Sequence, residues 1–119
     1  MRYMCLWRPA SSAPQSWKHQ DPAEMQRLMS EMGKLIEEMT KSGILIATGG
    51  WDPHGPSTII QSSAGTVSVK DGPYTESKEM IGGFALIEAK SQEEAIEYGR
   101  RFVKIAGDGT SEIRALGGP

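Results

Sequence analysis

Between Asp21 and Gly43 the chain carries an apolar stripe at helical spacing, in which Met25, Leu28, Met29, Met32, Leu35, Ile36 and Met39 recur every three or four residues. Gln26, Arg27, Glu31, Lys34, Glu37, Glu38 and Lys41 fill the other face, so this segment has to lay one side on a core. The ends of the helix are written into the residues around it. Asp21-Pro22-Ala23-Glu24 offers a capping acceptor, a proline at the first helical position and a glutamate three residues after the cap. Gly43 suits a left-handed C-terminal cap. The flanking segments supply what such a helix packs on. Tyr3 to Trp7 is bulky and apolar at nearly every position, as a strand covered on both faces would be, and Ile44 to Thr48 reads as a second strand.

The same order then repeats. Ile81 to Ala89 predicts a strand, with Gly82-Gly83 at its start where backbone can approach something closely. Ser91-Gln92-Glu93-Glu94 is a capping box, and Ala95, Ile96, Gly99, Phe102, Val103 and Ala106 form the buried stripe of a second helix. Gly107 and Gly109 end it, and Glu112 to Leu116 is the closing strand. Between the two halves, Thr58 to Gln61 and Thr66 to Lys70 are β-rich runs joined by Ser62-Ser63-Ala64-Gly65, which predicts a hairpin. Ala10 to Gln20 and Gly49 to Pro56 are built from turn residues and read as loops.

The order β-α-β, hairpin, β-α-β predicts an α+β fold, a ferredoxin-like split βαβ sandwich with an inserted β-hairpin, over a single domain of residues 1–119. A chain of 119 residues buries perhaps ~65% of its unfolded surface and supports one core. In this fold the helices cover one sheet face. The other face also carries apolar side chains, because Tyr3, Cys5 and Trp7 alternate with Met4 and Leu6, and Phe84 and Leu86 alternate with Ala85 and Ile87. A homodimer packed sheet to sheet about a two-fold axis would cover it, and so would a helix layer from a partner protein.

Composition narrows the function. Fifteen acidic and 13 basic residues are interspersed to a net charge of -2, with no basic block to track a phosphate backbone, so no nucleic-acid partner is expected. The one cysteine, Cys5, excludes an internal disulfide and, mid-strand, reads as a small hydrophobe. No apolar run approaches the roughly 20 residues that span a bilayer, and Arg8 and Pro9 interrupt the N-terminal apolar run before it reaches signal-peptide length. A cytoplasmic protein without a membrane partner is the expectation. Gly49-Gly50 and Gly82-Gly83 lack the context of a dinucleotide or phosphate loop, and turn geometry accounts for them. There is no Gly-x-Ser-x-Gly elbow.

Ionisable groups concentrate in Asp71-Gly72-Pro73-Tyr74-Thr75-Glu76-Ser77-Lys78-Glu79, between two strands. Asp71 is either a general base or a turn former whose carboxylate accepts backbone N–H groups. Glu76 and Lys78, two apart, either bind a polar ligand, with Glu76 carrying a proton and Lys78 meeting an anion, or pair on the surface. Trp51, Asp52 and His54 form a second group, in which a carboxylate beside a histidine could orient it as base, or Trp51 simply anchors a solvated loop. No HxH or HxxxH spacing occurs, so no metal and no cofactor are expected.

Tyr3-Met4-Cys5-Leu6, Lys41-Ser42-Gly43-Ile44-Leu45, the Asp71 to Glu79 segment running into Ile81-Gly82-Gly83-Phe84-Ala85-Leu86-Ile87, Gln92-Glu93-Glu94-Ala95-Ile96-Glu97-Tyr98 and Glu112-Ile113-Arg114 together resemble the YCII-related family in its DGPF subgroup. Tyr74 stands where the subgroup's name has phenylalanine and adds a hydroxyl. The resemblance implies a dimeric α/β barrel, similar to muconolactone isomerases, with a pocket in each subunit between sheet and inserted loops. The His and Asp pair attributed to the wider family transfers poorly, since His19 and His54 both fall in loops outside the motif.

Three function classes follow. One is a small enzyme doing isomerase- or lyase-like proton transfer on an organic acid or lactone, with Asp71 and Glu76 as catalytic residues and Lys78, Tyr74, Trp51, Trp7 and His54 binding substrate. The second is a non-catalytic binding or sensing protein using the same pocket. The third is an interaction module built on the edge of the Thr58 to Lys70 hairpin.

Overall fold

The structure is a computed structural model that describes residues 1–10, 22–50, 57–72 and 81–117 of the 119-residue chain. Its elements run β1 (Arg2–Pro9), α1 (Pro22–Lys41), β2 (Leu45–Gly50), β3 (Thr58–Ser63), β4 (Thr66–Asp71), β5 (Gly83–Glu88), α2 (Gln92–Ala106) and β6 (Gly109–Ala115). Strands β2, β5, β1 and β6 form one antiparallel sheet in that order, and β3 and β4 form a separate two-stranded ribbon. Setting the ribbon aside, the order is second, third, first, fourth, with each half contributing one central and one edge strand. This is the ferredoxin-like arrangement with an inserted hairpin.

The local signals act as their chemistry requires. Gly43 takes φ +76 after α1, and the N–H of Ile44 donates to Met39 O at 2.9 Å. Ser91 Oγ accepts from Glu94 N at 3.2 Å, while the Glu94 carboxylate accepts from Lys90 N at 3.2 Å, one residue before the usual reciprocal donor of a capping box. Asp21, the expected cap of α1, lies outside the described residues. The hairpin turn is tighter than the four residues that suggested it. The ladder continues to Ser63 and Thr66, and only Ala64 (φ 51) and Gly65 (φ 81) make the reversal. Both central residues sit at positive φ, as a turn matched to strand twist needs.

Two boundaries differ from the sequence reading. Gly49 and Gly50 are the last residues of β2 and not the start of a loop, because they pair with Phe84 and Gly83 in the ladder. The closing strand begins at Gly109, where it pairs with Pro9. Glycines have low strand propensity, and here the neighbouring strand's hydrogen bonds outweigh it.

Both helices lie on one face of the sheet, and three ranks of side chains line that face. Tyr3, Ile87 and Leu45 stand abreast, then Cys5, Ala85 and Thr48, then Trp7, Gly83 and Gly50, with Ala115, Ile113 and Ser111 of β6 flanking the three ranks in turn. The core sits over the first rank, where Tyr3, Ile87 and Ala89 meet Leu35 and Met39 of α1 and Ala95 of α2. An ion pair between Glu38 and Arg101 ties the two helices on their outer side.

Candidate functional site

Toward the third rank the space between sheet and helices is not filled. β5 and β2 contribute Gly83 and Gly50 there, adjacent to one another across the ladder, so the floor is bare backbone. A cavity of about 350 Å³ opens over it, within the range of small-molecule sites. Met32 and Ile36 of α1 and Tyr98, Gly99 and Phe102 of α2 face it from the helix layer, and Cys5 and Trp7 from β1. Thr48 and Ser111 supply hydroxyls at two sides, and Thr48 Oγ1 donates to Phe84 O at 2.9 Å, leaving its lone pairs able to accept.

Trp7 is held as a wall by two glycines. The N–H of Gly82 donates to Trp7 O at 2.6 Å, and a Cβ on Gly82 would lie 3.2 Å from Trp7 Cδ1 and 2.9 Å from Pro9 Cδ. A Cβ on Gly109 would fall on the benzene half of the same indole. Phe102 meets the Trp7 ring edge-on, with centroids 5.3 Å apart and planes at 79°. At the opposite end of the floor, Gly83 is confined by the Gly49 carbonyl, only 2.9 Å from where its Cβ would be.

Burial pushes the Cys5 thiol above its ordinary range, which keeps it protonated and a poor nucleophile. On the far face of the sheet, Glu112 accepts from Arg114 Nε at 2.7 Å and from Arg8 Nη1 at 3.0 Å, and these hydrogen bonds hold its carboxyl below the usual carboxylate range. Among the described residues no group of three His, Cys, Asp or Glu side chains could hold a metal ion.

Of the residues singled out from sequence, Trp7 lines the cavity. Asp71 is the last residue of β4, exposed and paired with Thr58 across the hairpin, and it is not part of the described cavity wall. The next residue, Gly72, donates its N–H to Ser57 O at 2.8 Å and extends that ladder. Tyr74, Glu76, Lys78, Trp51, Asp52, His54 and His19 lie outside the described residues. The sequence reading had Gly82-Gly83 as a place of close backbone approach but did not single out Gly50, Tyr98 or Phe102 as site residues. Two Gly-Gly pairs were the available signal, but only the register shows Gly50 and Gly83 to be neighbours.

Fold and cavity define a class: a ferredoxin-like α+β domain with an apolar chamber between its sheet and its two helices. The chain belongs to the YCII-related family, whose domain matches residues 1–116. It is 28% identical over 117 residues to an uncharacterized protein of Rhizobium meliloti, covering 98% of this chain and 92% of that one. Among solved structures it is similar to a 5-chloro-2-hydroxyhydroquinone dehydrochlorinase from Burkholderia phenoliruptrix in complex with 2,5-dihydroxybenzoquinone. That similarity has a TM-score of 0.48 at 13% identity and covers 98% of this chain and 94% of the other. No helix among the described residues is long and apolar enough to cross a membrane.

Proposed function

We propose that this protein binds a small organic molecule in the cavity between sheet and helices and performs proton-transfer chemistry on it, isomerase- or lyase-like, on an organic acid or lactone. The observation that carries the reading is the glycine-floored cavity, walled by a tryptophan that two further glycines hold in place. In this proposal Asp71 and Glu76 carry protons, and Lys78, Tyr74, Trp51, Trp7 and His54 contact substrate. The Asp71-Gly72-Pro73-Tyr74 segment supports placing the chain in the DGPF subgroup of its family.

A thermal-shift screen across organic acids, lactones and aldehydes tests binding, because a ligand at about 100 times its dissociation constant adds about 2.7 kcal/mol to stability. A true ligand loses its effect in Gly50→Leu, which fills the cavity; a shift that survives this change places binding elsewhere. Solvent deuterium exchange into the bound ligand, followed by NMR, tests catalysis. Glu76→Gln and Asp71→Asn are expected to abolish exchange while binding persists. Binding without exchange in the unaltered protein establishes the sensing alternative instead.

A second observation favours association as well. Ile60, Val67 and Val69 project from one face of the hairpin and are 70%, 64% and 67% exposed. An isolated two-stranded hairpin is marginally stable, so an apolar face of this kind supports a contact with a second molecule. We propose a homodimer through the sheet face carrying Met4, Leu6 and Leu86, with the hairpin as the alternative surface. Sedimentation of Leu86→Lys and Ile60→Lys separates the two: the first variant dissociates a sheet-to-sheet dimer, the second an assembly through the hairpin.

A further inference from the structure

We infer that the ligand class of the cavity is a flat, uncharged, unsaturated ring, laid on the backbone floor of Gly50 and Gly83; this rests on the cavity being the binding site and, of the two substrate classes proposed for it, keeps the lactone and not the ionised acid. Neighbouring strands lie about 4.8 Å apart, so two adjacent positions without side chains open a strip roughly one ring wide and one side chain deep. Both missing side chains belong to the same rank, since Gly50 and Gly83 are partners across the ladder. The strip therefore lies flat along the peptide planes of β2 and β5, a shape that a planar ring matches and a puckered one does not.

The walls read the same chemistry. Trp7 and Phe102 bring two rings to one side, and Met32 supplies a flexible thioether that adapts to a ring's edge. The described lining includes no Asp, Glu, Lys or Arg, so nothing in it offsets the desolvation of a charged ligand. Thr48 Oγ1, its proton committed to Phe84 O, can accept from a hydroxyl on the ring.

The single cysteine of the chain faces this cavity, so its alkylation, run at alkaline pH where the raised thiol ionises, reports occupancy directly. Phenol, cyclohexanol and benzoate, matched in size, serve as probes against the full chain, with protection of Cys5 titrated by mass spectrometry. Phenol is expected to protect at a concentration at least about fivefold lower than either of the others, the ratio that a specific aromatic contact gives. Gly50→Val should remove protection by phenol. Gly50→Ala, whose methyl would sit 3.7 Å from Gly82 O in ordinary contact, should weaken it by a smaller factor and controls for folding. Cyclohexanol or benzoate protecting as well as phenol overturns the flat, uncharged class yet leaves the cavity as a binding site. No protection by any of the three, with lactones or acids still giving a Gly50-independent thermal shift, overturns both readings.

Discussion

The two ends of one sheet face behave in opposite ways although the same strands build both. At the first rank Tyr3, Ile87 and Leu45 stand under Leu35 and Met39, and Ile87 is 1% exposed. Four residues further along β1, at the third rank, Gly83 and Gly50 leave a chamber beside Trp7. Of the α1 stripe only Leu35 and Met39 are buried and Met29 is 67% exposed, so the helix closes over the first rank, while Gly50 and Gly83 of the strands and Gly99 of α2 border the chamber. The contrast teaches that this fold opens its site toward one end of the strands and closes its core at the other, with Leu35, Met39, Leu45 and Ile87 bordering both.

The largest expected effect belongs to the filled end. Ile87→Ala should cost about 2–5 kcal/mol in urea unfolding, through lost transfer energy and a residual cavity. If it costs no more than an exposed substitution, the first rank is not the core. Next comes Gly83→Ala, whose Cβ would meet the Gly49 carbonyl at 2.9 Å and force the β2 edge to shift. A loss of about 1–3 kcal/mol is expected, whereas Gly50→Ala, whose Cβ would make only an ordinary contact with Gly82 O at 3.7 Å, should stay within about 1 kcal/mol of the unaltered protein. Equal costs at the two glycines would mean that the floor is softer than its ladder suggests.

The far face sharpens the comparison through pH. Hydrogen bonds from Arg114 and Arg8 lower the Glu112 carboxyl in the folded state, so its contribution is present above the ordinary glutamate range and lost as pH falls through the lowered value. Glu112→Gln should flatten that part of the acid limb of a stability–pH curve; an unchanged limb would show that the pair of arginines does not act on folding. Cys5 has the opposite sign. Its folded thiol is raised by burial, so stability is full below the ordinary thiol range and declines as pH rises from there, and Cys5→Ala should remove the decline. The smallest effect lies outside the sheet: Ala64→Asn, at φ 51, should stabilise the hairpin by about 0.5–1 kcal/mol, read as a small rise in Tm.

Much of the framework was legible because its signals are local. The Met25 to Met39 stripe, the Ser91 cap, Gly43 and the β-rich runs each depend on residues within a turn or two of one another. The site was less legible for the opposite reason. Cys5 read as a buried hydrophobe, and it is indeed half-buried with a raised thiol, but nothing near it in sequence says that a cavity faces it. Gly49-Gly50 read as turn residues because an isolated glycine pair beside Pro53 and Pro56 has that meaning locally. Paired across a ladder with Phe84 and Gly83, the same two residues are strand.

The sequence by itself determined the number and order of the elements, since periodicity, caps and turn residues act over a few positions, and with them the ferredoxin-like sandwich. Only the tertiary structure decided where the space lies. That choice depends on Gly50 and Gly83, 33 positions apart in the chain, becoming neighbours on adjacent strands, and on Gly82 and Gly109 closing on Trp7 from two directions. An absent side chain opens a cavity only when the residue beside it in space is absent too, and register, which no local pattern encodes, is what puts them together.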